Sequence, residues 1–236
     1  MKERLNRFET LVGEDSVKLL SNKKVVIFGV GGVGGYALEA LVRSGIGHIA
    51  IVDADKVDIT NINRQIIATD LTIGKSKVDV AEERAKSINP DIIIEKYKHF
   101  YLPEDKGGID ISKYDYAVDC IDTIKAKIDI ISDCKKFNIP VISALGCGNR
   151  LDPSKLVYAD LFETSDDGFA KAMRKECRKA GIESLTVVYS KEPAIKLENQ
   201  LEEKGRHIPA SSAFVPGAAG LMMASKVVRD FLKEGK

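Results

Sequence analysis

Apolar and polar positions change their period several times along the chain, and each change marks a predicted element. Residues 5–22 place Leu5, Phe8, Leu11, Val12, Leu19 and Leu20 at helical spacing. The runs Lys24–Phe28, His48–Asp53, Ile92–Tyr97, Tyr114–Cys120 and Val141–Ala144 are short, apolar and rich in β-branched residues, so they read as strands. Helical patterns over 34–43, 76–88 and 124–137 separate most of them. Gly74-Lys75-Ser76 opens the second of these helices with Ser76 as its cap, and Asn89-Pro90 ends it. Strands that alternate with helices predict an α/β fold, with a mostly parallel sheet wound on both faces.

The pattern changes after Gly146. Leu156–Phe162 alternates like a strand of an antiparallel patch, and Leu185–Ser190 is a second strand run. Phe169–Ala180 is a basic helix. Residues 191–210 are polar, bracketed by Pro193 and Pro209, and read as a mobile loop. A helix over 214–233 closes the chain. The whole of 1–236 reads as one domain: a core over 1–150, then an extension over 151–236 that holds the antiparallel strands, the loop and the last helix.

Composition narrows the class. The chain has 236 residues, 44% hydrophobic and 30% charged, with a formal net charge of +1. A near-neutral chain has no global field for nucleic acid or membrane, so any such partner needs a local patch. The charged start Met1-Lys2-Glu3-Arg4 leads into no apolar leader segment, and no run reaches a membrane span. Cys120, Cys134, Cys147 and Cys177 form no C-x-x-C pair, which argues against a four-cysteine zinc site and a secreted disulfide framework. A cytoplasmic setting follows.

Candidate chemistry starts at Gly29-Val30-Gly31-Gly32-Val33-Gly34, directly after the first strand run. A strand, a glycine turn and a helix build a phosphate site from backbone N–H groups, and Asp53 at the end of strand two can hold ribose hydroxyls. NAD is the default ligand of that fingerprint. The following residues favour a triphosphate: Asp55, Asn61, Arg64 and Lys77 lie downstream of strand two, and Asp122 follows strand four. Arg64 and Lys77 supply cations, and Asp122 supplies an oxygen ligand for Mg2+. Each has a plainer alternative, namely a surface ion pair for Arg64, a solvated helix position for Lys77 and a helix N-cap for Asp122.

Taken in order, Gly29-x-Gly31-Gly32-Val33-Gly34, Asp53-x-Asp55, Asn61-x-x-Arg64-Gln65, Gly74-x-x-Lys77 and Cys120-x-Asp122 resemble the ThiF/MoeB/HesA superfamily of ATP-dependent activators. The resemblance implies a doubly wound, Rossmann-like fold and adenylation with ATP and Mg2+. It gives Asp53 to the ribose, Arg64 and Lys77 to the phosphates and Asp122 to the metal. It also implies a homodimer in which Arg7 reaches the phosphates of the other subunit; the alternative for Arg7 is a surface salt bridge.

Within the superfamily the chain is most similar to the tRNA threonylcarbamoyladenosine dehydratases. That similarity rests on Asp122-Thr123, Gly146-x-Gly148-x-x-Leu151-Asp152-Pro153, the segment 160–178 and Ser212-Ala213-Phe214-Val215-Pro216. It implies that the activated group is the threonylcarbamoyl carboxylate at adenosine 37 of tRNA, which then closes to a ring. Lys171, Arg174, Lys175, Arg178 and Lys179 recur at spacings of three and four, giving a basic face for tRNA phosphates or else a solvated charged helix. Lys196, Arg206 and His207 of the 191–210 loop are candidates to fold over the substrate. The alternatives are activation of a ubiquitin-like sulfur carrier, which leaves a sulfur-transfer or carrier protein open as partner, an NAD-dependent oxidoreductase, and a binding scaffold. Cys177 sits among cations that would lower its pKa, and a transfer role for it stays open at this point.

Overall fold

Valine and isoleucine runs that are apolar on both faces form strands buried between two helical layers, because parallel strands joined by helical crossovers have no solvated face. The computed structural model of the protein describes residues 2–165, 167–198, 201–203 and 206–234. Its main sheet has the order β3-β2-β1-β4-β5-β7-β6, built from β1 (Lys24–Phe28), β2 (His48–Val52), β3 (Ile93–Tyr97), β4 (Tyr116–Asp119), β5 (Val141–Ala144), β6 (Leu156–Asp160) and β7 (Thr186–Ser190). Every pairing in it is parallel except β6 with β7. The α/β reading with an antiparallel patch in the last third is the observed architecture.

Side-chain alternation splits the interior in two. Val25 and Ile27 of β1 join a core with α3 (Gly34–Arg43), α4 (Lys77–Ile88) and α7 (Phe214–Glu234). Val26 and Phe28 point the other way, into a core with α5 (Ile124–Lys136) and α6 (Gly168–Lys179). The N-terminal pattern is two helices, α1 (Lys2–Val12) and α2 (Glu14–Ser21), because Gly13 turns the chain between them at φ +90°. Segment 191–210 is not wholly irregular: β8 (Leu201–Glu203) pairs antiparallel with β9 (Arg206–Ile208). The side chains of Arg206 and His207 lie outside the described residues.

The strand order reverses direction of growth at β1: β2 and β3 lie to one side, β4 onward to the other. A crevice at the carboxyl ends of β1 and β4 follows, where such sheets bind ligands. Among the described residues no helix is long and apolar enough to cross a membrane.

Candidate active site

A cleft of about 500 Å³ opens at that crevice, a size that holds a nucleotide. Its walls include Gly29, Gly31 and Gly32 after β1, Asp53 and Asp55 after β2, Asn61, Arg64 and Lys77 from the crossover that follows, and Asp122 after β4. Residues up to 93 positions apart in sequence therefore converge on one space, because each follows the carboxyl end of a neighbouring strand.

Asp53 braces the glycine turn. Its carboxylate accepts from the Val30 N–H at 2.9 Å and from the Asp55 N–H at 2.9 Å, tying the end of β2 to the turn after β1. Burial pushes its carboxyl pKa up, against the opposing pull of the Lys77 ammonium and the two N–H groups. Lys77 begins α4 and is buried; its Nζ donates to Asp55 at 2.7 Å. Ser76 occupies the N-cap position, yet its side chain makes no cap bond. A Cβ at Gly34 would collide with the Gly29 carbonyl oxygen, so Gly34 serves the close packing of α3 on β1 and does not line the cleft.

Part of the loop between β2 and α4 is held by local side-chain bonds. The Asp58 carboxylate accepts from Thr60 N–H at 2.8 Å while Asn61 Oδ1 accepts from Asp58 N–H at 3.1 Å, a reciprocal capping box. Asn61 is thereby buried, with Arg64 one turn on. The Arg64 guanidinium donates through Nη1 to the Thr60 carbonyl at 2.8 Å and to Asn63 Oδ1 at 3.0 Å.

Asp122 is exposed at the cleft wall, and the N-cap position of α5 belongs to Thr123. Thr123 makes no side-chain cap bond; its hydroxyl donates to Asp122 Oδ1 at 3.4 Å. The helix-cap alternative for Asp122 is thus set aside, and its carboxylate faces the cleft.

Two further groups in the cleft are not among the candidates that the sequence singles out. Gln65 is buried in the cleft wall, and its Oε1 has no hydrogen-bond partner within the protein among the described residues, so it offers an acceptor to the cleft. Its place beside Arg64 in the motif is the one sequence signal for it. The second group is His99–Leu102, the loop after β3. Tyr101 packs edge-on against Phe28 at 5.1 Å and donates its hydroxyl to Asp129 at 2.9 Å. Nothing periodic marks that segment, and only the strand order brings it to the cleft.

The remaining candidates lie elsewhere. Arg7 is exposed on α1 and does not line its own chain's cleft. Helix α6 buries Ala170, Met173 and Cys177, and its cations divide. Lys171, Lys175, Arg178 and Lys179 are exposed. Arg174 is half-buried and donates to the Thr164 carbonyl at 2.9 Å and to the Thr164 hydroxyl, so the single basic face expected from the sequence loses its central member to packing. Arg178 lies over the Phe162 ring at 5.2 Å, and Lys179 pairs with Glu176 at 2.8 Å. Cys177 is fully buried, and burial pushes its thiol up to about 11, the reverse of the lowering expected from its cationic neighbours in sequence.

Comparison with known proteins adds to this geometry. The chain is 39% identical to the tRNA threonylcarbamoyladenosine dehydratase of Bacillus subtilis (strain 168), over 99% of this chain and 96% of that one. Its fold matches the crystal structure of the E. coli tRNA N6-threonylcarbamoyladenosine dehydratase in complex with AMP, with a TM-score of 0.90, 28% identity and coverage of 99% and 96% of the two chains. The same E. coli protein in complex with ATP matches with a TM-score of 0.87 at 27% identity, again over 99% and 96% of the two chains. The model of the ThiF family matches residues 3–236. With the glycine turn, the Asn61–Gln65 loop and the exposed Asp122 around one cleft, the chain belongs to the ThiF family.

Proposed function

We propose that this chain is an ATP-dependent tRNA threonylcarbamoyladenosine dehydratase. The observation that carries the reading is likeness to such dehydratases along the whole chain, with the C-terminal third included. The charges of the cleft agree with it. A triphosphate carries about four negative charges and needs cations beyond backbone N–H groups, and Arg64 and Lys77 stand in the cleft wall.

In this reading the glycine turn lies against the phosphates and Asp53 holds the ribose of ATP, with Asp55 and Asn61 shaping the wall. Arg64 and Lys77 hold the phosphates, each exchanging an acceptor within the protein (Thr60 carbonyl, Asp55 carboxylate) for a phosphate oxygen. Asp122 fits Mg2+: it is an exposed carboxylate in the wall of the cleft, the hard oxygen donor that such an ion shares with substrate phosphates. Bound there, Mg2+ would neutralise charge on the triphosphate. Arg7 of one copy would reach the phosphates held by a second copy in a homodimer.

A carboxylate oxygen of the threonylcarbamoyl group attacks the α-phosphorus. The bond from that phosphorus to the β-bridging oxygen breaks, and pyrophosphate leaves with its electron pair. A nucleophilic atom within the substrate then attacks the activated acyl carbon, loses its proton and expels AMP, closing the ring. The protein contributes alignment and charge stabilisation. Lys171, Lys175, Arg178 and Lys179, exposed on α6, offer phosphate contacts to the tRNA.

The test is mass spectrometry of nucleosides from t6A-containing tRNA incubated with the protein, ATP and Mg2+. Loss of water from the modified adenosine, with AMP and pyrophosphate released, is the expected result. Unchanged nucleoside would refute the reading, and pyrophosphate exchange stimulated by a carrier protein ending in Gly-Gly would move it to carrier activation.

A further inference from the structure

Segment 209–212 is held from two sides by asparagines that have no part in the roles assigned above. On one side Asn63 bridges: its Oδ1 accepts from the Arg64 guanidinium at 3.0 Å and its Nδ2 donates to the Ser211 carbonyl at 2.9 Å, across 148 positions of sequence. On the other side Asn149 donates its backbone N–H to the Ala210 carbonyl at 2.7 Å and accepts the Ala210 N–H on Oδ1, also at 2.7 Å. The segment lies close against the loop after β5, since a Cβ on Gly148 would stand 2.5 Å from Pro209 Cβ. It leads into α7 past the glycine turn, with Pro216 Cβ 3.4 Å from where a Cβ on Gly32 would be.

Asn149 carries a second mark. Its φ is 57°, in the left-handed region where glycine costs least. Asparagine tolerates that region, and here its side chain makes the bond that glycine would lack. The turned backbone of Asn149 and its side-chain bond together hold the loop after β5 against Ala210.

We propose that Asn63 and Asn149 are positioning residues that clamp segment 209–212 between the phosphate-side loop and the loop after β5, so that it aligns the acceptor carboxylate with the α-phosphorus. The inference rests on the dehydratase reading and deepens it. The clamp meets the cleft wall at Arg64, through Asn63, and the chain that follows it meets the wall at Gly32, through Pro216. It therefore acts on how the two substrates meet. ATP binding on its own is left nearly unchanged.

The test uses Asn63→Ala and Asn149→Gly, the second of which keeps the backbone conformation and deletes only the side-chain bond. With t6A-containing tRNA, each variant loses about 10- to 100-fold in kcat/KM, the scale of a small misalignment of reacting groups. Its Kd for ATP, measured without tRNA, stays within about threefold of wild type, and its thermal midpoint stays within a few degrees. The double variant falls little further than the worse single one, because the clamp fails as a unit. Wild-type kcat/KM in both variants overturns the clamp. So does an ATP Kd that weakens in step with kcat/KM, which would mean that Asn63 only orients Arg64. A wild-type protein that leaves t6A untouched refutes the dehydratase reading instead, and the clamp falls with it.

Discussion

The nucleotide-binding core and the C-terminal third use their cations in opposite ways. In the core, Arg64 and Lys77 stand in the wall of an open cleft, placed there by strand ends and by the loop and helix that follow. Beyond β5, Arg150 at the end of the core and Arg174 in the last third turn inward. Arg150 is buried and donates to the Gly146 carbonyl at 2.5 Å, the Glu192 carbonyl at 3.0 Å and Asp167 at 2.6 Å, while the other Asp167 oxygen caps α6 through Ala170 N–H at 2.7 Å. A parallel sheet supplies hydrogen bonds to its own backbone, so the core can leave its cations to a ligand. The chain beyond β5 has long irregular connections whose carbonyls need donors, and Arg150 and Arg174 satisfy them.

Lys127 tests the limits of that contrast. It belongs to the core, one turn and a half after Asp122, yet it is fully buried. Its Nζ donates to Asp119 at 2.9 Å and to Ser143 Oγ at 3.0 Å, linking α5 to β4 and β5. Lys127→Met should give the largest loss of stability, about 3–5 kcal/mol in urea unfolding, because it leaves the Asp119 carboxylate buried without its cation. Adding Asp119→Leu should recover much of it. A single variant as stable as wild type would show that the pair is dispensable.

Removal of a cleft cation or of the exposed carboxylate should act on turnover alone. Arg64→Ala and Asp122→Ala are expected to lower kcat by about 10²- to 10³-fold, the range for loss of one preorganised charge-stabilising group. Their urea midpoints should match wild type, since Asp122 is exposed and Arg64 bonds only within its own loop. Wild-type turnover in either would remove that residue from the proposed site.

The same physics sets how much of the molecule is legible in its sequence. The positions of β1, β2 and β5 are legible because valine and isoleucine runs admit few other uses, and the cleft is legible because its motif residues follow strand ends. Gly34 reads as a ligand contact but packs against the Gly29 carbonyl and does not line the cleft, because turn glycines that touch phosphate and those that admit a neighbouring backbone look alike in sequence. The α6 face reads as broader than it is because spacing puts Arg174 beside Lys171 and Lys175 but says nothing of Thr164, ten residues upstream, which claims its guanidinium. His99 and Phe100 enter the cleft by topology and carry no periodic signal, and Gln65 is marked only by its place beside Arg64 in the motif.

Helix α6 offers a direct comparison within one element. Arg174→Ala should cost about 1.5–3 kcal/mol of stability, the usual worth of a hydrogen bond to a charged donor. Lys171 and Lys175, which are exposed and have no partner among the described residues, should behave differently when both become Ala. Stability stays level, the KM for tRNA rises several-fold, and the slope of log affinity against log salt falls by about one per lysine. Equal behaviour of the two variants, in either assay, would erase the division of labour proposed for this helix.

The smallest effect concerns acid stability of the core. Glu39 on α3 is buried among Arg43 and Arg84, with Nε of Arg84 at 2.6 Å from Oε2 and Nη2 of Arg43 at 2.7 Å from Oε1. Burial alone would raise its carboxyl pKa, but the two guanidinium groups outweigh burial and hold it below the ordinary 4.5. A depressed folded-state pKa means that the unfolded chain takes up the proton first as pH falls. The stabilisation is therefore whole above about pH 4.5 and disappears as pH drops through the lower folded value. Both arginines are more than a third exposed, so the pair is worth only about 1 kcal/mol at neutral pH. Glu39→Gln should lose that amount at pH 7 and almost nothing near pH 3, so urea midpoints of variant and wild type converge on acidification. Curves that stay parallel down to pH 3 would show that the link between α3 and α4 owes nothing to the carboxylate charge.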